Sequence, residues 1–266
     1  MSARLARSLT AVALALALAP SARAQYASTN VQALAGLTGF EEKILDYNAV
    51  DGRQFTLTVN HFSTWAYGDN FAFVDMYRAD YVGTNSQSTI YAEWHPRLFL
   101  NKIFKQEGNA LGILSNYGLA FEVNQGKNFW AYMAGAGVDF ALPLPYSFLS
   151  LNVFYRQDSV QLPFGNGTNK TWQVSPSWGI PFALGKLPVL FTGFVDVTQL
   201  KDFAGDKALD VMAQPQLLFD VLGVAGGKKG TLWVGAEWYL HYNGAPEEAG
   251  GETISAPQLM VQWNLH

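Results

Sequence analysis

The feature that most constrains the fold of this chain is an alternation of apolar and polar residues that recurs along most of its length. In one segment, Ile90, Trp94 and Leu98 alternate with Glu93 and Arg97. Successive side chains of a β-strand point to opposite sides of a sheet, so such a segment has one apolar and one polar face. Turn-forming residues separate the segments, and this pattern predicts an all-β protein. The predicted strands are 29–37, 53–64, 70–81, 89–101, 111–124, 128–142, 147–158, 171–183, 188–199, 209–222, 231–243 and 253–265.

The N-terminal residues 1–24 have the three parts of a secretory signal peptide. Arg4 and Arg7 give a charged start, residues 9–19 are apolar, and Ala22–Ala24 provides an A-x-A end. A membrane anchor is the alternative, but the apolar run is shorter than the ~20 residues that a spanning helix needs. We therefore predict a cleaved bacterial export signal over residues 1–24 and one domain over residues 25–266.

Composition excludes several classes of function. The chain has no cysteine, which rules out disulfides, thiolate metal sites and cysteine nucleophiles. Its formal net charge of −4 argues against nucleic-acid binding. The four histidines share no metal-ligand spacing. We therefore expect no enzymatic activity, no cofactor and no metal.

Two sheet architectures fit the alternation: a soluble β-sandwich and a transmembrane β-barrel. The segments run to about 11–14 residues, near the ~9–11 that a tilted strand needs to cross a membrane, whereas strands of soluble domains average ~5–6. The polar faces carry charges at mid-strand, as a water-filled lumen allows. The apolar faces carry tryptophans, many near strand ends, as interfacial girdles require: Trp94, Trp130, Trp172, Trp178, Trp238 and Trp263. We therefore predict an antiparallel transmembrane β-barrel of 12 strands in the bacterial outer membrane, with both termini on the periplasmic side.

Three motifs resemble those of the nucleoside-specific channel-forming outer-membrane family (Tsx-like). They are the stretch Tyr67–Asp75, with sequence YGDNFAFVD, the stretch Tyr91–Leu98, with sequence YAEWHPRL, and Gly135–Asp139, with sequence GAGVD. The resemblance implies a twelve-stranded barrel that passes nucleosides and, in some members, acts as a receptor for phage or colicin. The chain departs from the family pattern at its end, where His266 stands in place of an aromatic residue.

Aromatic and charged residues fall together on the inward faces by parity. Rings in a narrow lumen suit stacking on nucleobases, carboxylates can accept hydrogen bonds from hydroxyl and amino groups, and their charge disfavours phosphorylated solutes. The candidate substrate-binding residues are Phe71, Phe73, Asp75, Tyr77, Tyr91, Glu93, Arg97, Asp139, Arg156, Asp196, Trp233, Glu237 and Tyr239. The alternative is that the charges only brace the barrel, through pairs such as Glu93–Arg97 and Asp139–Arg156, and that the rings fill space.

These observations predict passive uptake of nucleosides or similar small neutral solutes. A complete barrel in outer-membrane lipid is compatible with a monomer. A receptor or structural barrel without selective transport is an alternative, and the first outward loop, with Glu41–Lys43, could form a short helix or a plug-like insert. An outer-membrane hydrolase is a further alternative because His61 falls on the lipid-facing side by parity. The Gly135–Gly137 pair is interpreted as a bend or a close-packing site of the sheet rather than a ligand loop.

Overall fold

The computed structural model describes residues 24–41, 49–80, 88–106, 113–127, 129–162, 165–201, 206–246 and 251–265. The predicted signal peptide lies outside these residues except for Ala24. Within them, no helix is long and apolar enough to span a membrane.

In the described residues the fold consists of thirteen strands and two single-turn helices. The strands are β1 (Tyr26–Gly36), β2 (Gln54–Trp65), β3 (Gly68–Arg78), β4 (Ser88–Phe99), β5 (Leu114–Gly126), β6 (Phe129–Phe140), β7 (Phe148–Leu162), β8 (Gly165–Leu184), β9 (Leu187–Lys201), β10 (Lys207–Ala213), β11 (Gln216–Asp220), β12 (Leu232–Asn243) and β13 (Glu252–Leu265). Helix α1 (Leu100–Ile103) follows β4, and helix α2 (Val221–Val224) follows β11.

Antiparallel pairing joins chain neighbours and closes the sheet on itself. Strand β1 pairs with β13 from Thr29↔Leu265 to Gly36↔Gln258, so the sheet has no free edge. Strands β10 and β11 both pair with β9 and with β12, and they are two pieces of one wall position. The wall therefore has twelve positions, and the predicted closed 12-strand barrel is confirmed.

The barrel is polar inside and apolar outside. Gln32, Glu122, Gln173 and Gln262 lie on inward faces and are buried. Of the six tryptophans predicted to face outward, five are exposed and Trp178 is half-buried, packing on Phe191 with 5.5 Å between ring centroids. This arrangement is the inverse of a soluble sandwich and is the architecture of an outer-membrane β-barrel.

Three of the predicted strand boundaries are wrong, and the structure shows where the strands break or continue instead. The segment 209–222 is interrupted at Gln214 and Pro215, because proline has no N–H to donate to the ladder. The segment 159–170, which separates the predicted strands 147–158 and 171–183, is mostly strand, since β7 and β8 pair as far as Leu162↔Gly165. Strand β4 ends at Phe99 and α1 begins at Leu100, whereas the alternation predicts that the strand continues to residue 101.

The described ends of the β1–β2 connection turn into one mouth of the barrel. Phe40 and Ala49 are buried against Ile254 and Ala256 of the inward face of β13. The ring of Phe40 lies 5.5 Å from that of Tyr239. The backbone of Ala49 donates to Phe40 O at 2.8 Å, which ties the two ends together. Residues 42 and 43 of the predicted short helix or plug-like insert lie outside the described residues.

Candidate ligand-binding lumen

Two of the sequence motifs become adjacent strands whose inward residues face each other in register. Strand β3 places Asp69 beside Arg97, Phe73 beside Glu93 and Asp75 beside Tyr91 of β4. The strict alternation of both motifs sends all these side chains into the lumen. The third motif contributes Asp139 on β6, two strands away. The residues that carry the family resemblance thus converge on one region of the inner wall.

Rings form a continuous aromatic platform on this wall. The platform is defined as Phe71, Phe73, Tyr91 and His95. Phe71 and Phe73 lie 6.0 Å apart between centroids, and Phe73 and Tyr91 lie 6.1 Å apart. His95 lies 5.6 Å from Phe71 and is stacked on Phe73 at 6.4 Å. All four side chains are half-buried, so their surfaces face what remains open of the lumen.

Arg97 is fully engaged by carboxylates. Its Nε and Nη2 donate to Asp69 at 2.8 and 2.6 Å, and its Nη1 donates to Asp139 at 2.6 Å. Asp139 also accepts from Asn116 at 2.9 Å and from Ser150 at 2.6 Å. On β5, which lies between β4 and β6, the inward residues next to Arg97 are Gly118 and Ala120. Because both are small, Arg97 has room to lie along the inner wall.

The predicted pairing of the lumen charges is wrong in detail. Glu93 does not pair with Arg97, because residues four apart on a strand are separated by about 13 Å. Arg156 pairs with Asp158 at 2.7 Å and donates to Gln173, rather than binding Asp139. The alternative interpretation of the charges as a bracing network is therefore supported for Arg97 and Arg156, with different partners.

A histidine lies between two glutamates beside the platform. Nε2 of His95 is 2.7 Å from Glu93 Oε2, and Nδ1 is 3.2 Å from Glu122 Oε2. Tyr91 donates its hydroxyl to Glu93 Oε1 at 2.5 Å. Asp196 lies close enough to interact electrostatically with both glutamates. We refer to Glu93, His95 and Glu122 as the histidine cluster.

Two further predicted carboxylates are held by neutral donors. Asp75 accepts from Thr58 at 2.5 Å and from Tyr77 at 2.7 Å. Glu237 accepts from Gln216 at 2.6 Å and from Gln258 at 2.8 Å.

The other predicted residues, Asp196, Trp233 and Tyr239, also face inward. Asp196 accepts from Ser175 at 2.5 Å. Trp233 packs beside the apolar cluster of Leu34, Leu218 and Met260, and Tyr239 packs against Phe40 at the mouth.

Four lumen residues of the site were missing from the predicted set: Asp69, His95, Glu122 and Asp158. Asp69, His95 and Asp158 each lie an even number of residues from a predicted residue on the same strand, whereas Glu122 lies on β5, which carries none of the predicted residues. Charge and parity alone do not show which inward residues meet, because the register between strands is set by the folded sheet.

The lumen is strongly acidic. Within the described strands, two basic arginine side chains face inward, Arg97 and Arg156. The inward carboxylates number eleven: Asp69, Asp75, Glu93, Glu122, Asp139, Asp158, Asp196, Asp210, Asp220, Glu237 and Glu252. Such a field attracts cations and repels anions.

Glycines allow the close approach of strands in this wall, as predicted for Gly135 and Gly137. A Cβ at Gly135 would lie 1.9 Å from Val153 O, and one at Gly137 would lie 2.4 Å from Asn152 Oδ1.

Comparisons with known proteins place the chain by family rather than by activity. No curated protein sequence matches it. Among solved structures it is similar to a "Bacterial polysaccharide outer membrane secretin", with 10% identity and a TM-score of 0.39 over 92% of this chain and 100% of that chain. The sequence model of the family described as "Domain of unknown function (DUF5020)" matches residues 40–265. Since that match spans most of the chain and nearly the whole barrel, the protein belongs to the DUF5020 family.

Proposed function

We propose that the protein is a non-enzymatic outer-membrane channel for passive uptake of nucleosides or similar small neutral solutes. The observation that carries this proposal is the aromatic platform on the inner wall, set directly beside hydrogen-bonding carboxylates. The resemblance of the three motifs to the nucleoside-specific channel family supports the same substrate class.

The platform matches the two chemical parts of a nucleoside. Stacking of a base on an aromatic side chain contributes ~1–3 kcal/mol, and Phe71 and Phe73 are the half-buried rings with no polar group of their own. The ribose hydroxyls need acceptors, which Glu93 and Asp75 provide within one or two residues on the paired strands. The excess of inward carboxylates disfavours a phosphate group, so nucleosides are favoured over nucleotides.

The passage is narrow. Inward side chains such as Leu34, Glu122 and Gln173 are almost completely buried, whereas most inward residues of β3, β4 and β9 are half-buried. A solute that crosses the barrel along this wall must therefore contact the platform, which is the condition for selectivity in a passive channel.

The test compares adenosine with a sugar of the same size in liposome swelling, and measures block of ion current by adenosine in planar bilayers. The double variant Phe71→Ala/Phe73→Ala removes the two rings, and Phe121→Ala is the matched control because that ring faces outward and is exposed. Loss of ~1–3 kcal/mol of stacking weakens adenosine block about 5- to 150-fold in the double variant and leaves the control unchanged.

Equal permeation by adenosine and the sugar in the parent protein rejects the nucleoside proposal. An absence of any conductance would instead favour the receptor or structural barrel, for which phage or colicin are the candidate partners.

An outer-membrane hydrolase is a second candidate because of one contact on the lipid-facing surface. Nδ1 of His61 lies 2.9 Å from Thr29 Oγ1, which pairs a base with a hydroxyl. Among the described residues, no carboxylate or amide orients the other ring nitrogen of His61. Phospholipid hydrolysis by the purified protein that is abolished by His61→Ala would favour this candidate over the channel.

A further inference from the structure

We propose that the histidine cluster binds a divalent transition-metal ion such as Zn²⁺ inside the lumen. This proposal does not depend on the transport of nucleosides, since it concerns how the cluster completes its own coordination. The three residues offer one imidazole nitrogen and two carboxylates whose ligand atoms lie within 4.8 Å of one another. Imidazole and carboxylate are the ligand types from which zinc sites without cysteine are built.

The two ring nitrogens of His95 lie at different distances from their glutamates, and this difference assigns the roles of Glu93 and Glu122. The Nε2–Glu93 separation of 2.7 Å is that of a strong charge-assisted hydrogen bond. The Nδ1–Glu122 separation of 3.2 Å is at the long end for a hydrogen bond. Two ligands that are each ~2.0–2.1 Å from a tetrahedral zinc ion lie ~3.3 Å apart. The Nδ1–Oε2 distance therefore matches the span across a metal ion.

Two buried oxygen atoms on β5 lack a hydrogen-bond donor within the described residues. Oε1 of Glu122 has no hydrogen-bond partner within the described residues, and Glu122 is only 2% exposed. Oδ1 of Asn124, on the next inward position of β5 and directly opposite Glu93, is also without a partner. Buried acceptors that lack donors are rare in native proteins, since each one loses its hydration. A cation bound between them satisfies both.

The charge around the cluster favours the same ligand. Glu93 and Glu122 place two carboxylates around a single imidazole, and the Arg156 guanidinium also interacts with Glu122. A neutral His95 that donates its Nε2 proton to Glu93 presents Nδ1 to a metal, which is the carboxylate–histidine–metal arrangement common in proteins. We assign His95 Nδ1 and Glu122 as ligands and Glu93 as the residue that positions the ring, with other coordination positions left to Asn124, water or solute.

The experiment uses the full-length mature barrel in detergent, treated with chelator, dialysed and titrated with Zn²⁺ alone by calorimetry and by metal analysis after gel filtration. We expect one zinc ion per barrel. Glu122→Gln and His95→Gln remove ligands and lower the affinity by at least about 100-fold, whereas Glu93→Gln perturbs the orienting partner and lowers it about 10-fold. Glu237→Gln is the matched control, because that lumen carboxylate has two amide donors, and it leaves zinc binding unchanged.

Heat-modifiable migration in gel electrophoresis establishes that each variant is folded. With Co²⁺ in place of Zn²⁺, visible absorption bands report imidazole–carboxylate coordination and should disappear in His95→Gln. The proposal is overturned if the folded parent protein binds no stoichiometric zinc, or if folded Glu122→Gln binds it as tightly as the parent. In either case the cluster is an imidazolium held between two carboxylates, and the nucleoside experiments remain informative.

Discussion

Arg97 offers the sharpest test of whether the lumen charges brace the barrel or contact solute. The perturbation is Arg97→Met, which keeps much of the side-chain volume and removes the guanidinium. Its three short hydrogen bonds to Asp69 and Asp139 are all lost. If Arg97 braces the wall, the variant unfolds more easily. If its role is solute contact, stability changes little.

The expected loss of unfolding free energy depends on which hydrogen bonds Asp69 and Asp139 retain in Arg97→Met. Asp139 retains its bonds from Asn116 and Ser150. Asp69 is 5% exposed and, within the described residues, Arg97 is its side-chain partner. Removing one partner of a buried ion pair destabilises a protein by about 3–5 kcal/mol because the other charge stays buried and unpaired. Most of that loss should therefore come from Asp69, and neutralising it in Arg97→Met/Asp69→Asn should recover up to ~3 kcal/mol.

The assay is urea unfolding of the barrel refolded in phospholipid vesicles, followed by tryptophan fluorescence. Arg78→Met is the control, since Arg78 is exposed on the outward face of β3. A loss below ~1 kcal/mol for Arg97→Met, or an equal loss for the control, would refute the bracing role. So would the absence of recovery in the double variant.

Three further predictions follow from the wall, the mouth and the lumen charge. Gly135→Ala forces a Cβ to within 1.9 Å of Val153 O and should destabilise the barrel by ~1–3 kcal/mol or more in the same urea assay, while Ala136→Val on the outward face should not. Phe40→Ala removes a ring from the mouth and should raise single-channel conductance without changing the sign of ion selectivity. An unchanged conductance would show that this residue does not narrow the passage. In a KCl gradient the reversal potential should have the sign of cation preference, and this preference should weaken as the ionic strength rises. Anion preference would contradict the charge distribution.

Much of the fold could be predicted from the sequence because side chains alternate between the two faces of a strand. In a membrane barrel the apolar face points outward to lipid and the polar face points into the lumen. Glu93, Arg97 and Asp139 were placed on inward faces from alternation alone, and the structure places them there. The platform was also accessible in outline, since Phe71 and Phe73 share the parity of Asp75.

Pairing between strands could not be predicted, because register is a property of the assembled sheet. The partner of Arg97 is Asp69, twenty-eight residues away in sequence, and only the β3–β4 register brings them together. His95 shares the parity of Glu93 and Arg97, but its position between Glu93 and Glu122 depends on the β4–β5 register as well. The break at Pro215 was missed because alternation continues on both sides of it.

The extended pairing of β7 with β8 has a consequence for the surface that the bacterium shows to its surroundings. Outward apolar residues of β8 begin at Trp172, whereas the strand itself begins at Gly165. Seven residues at a rise of ~3.4 Å and a tilt near 45° rise ~17 Å above the apolar band. If this end faces outward, the paired parts of β7 and β8 project beyond the lipid on the outer side of the membrane. A peptide grafted at the tip of this hairpin would be displayed to antibodies without disturbing the lumen below.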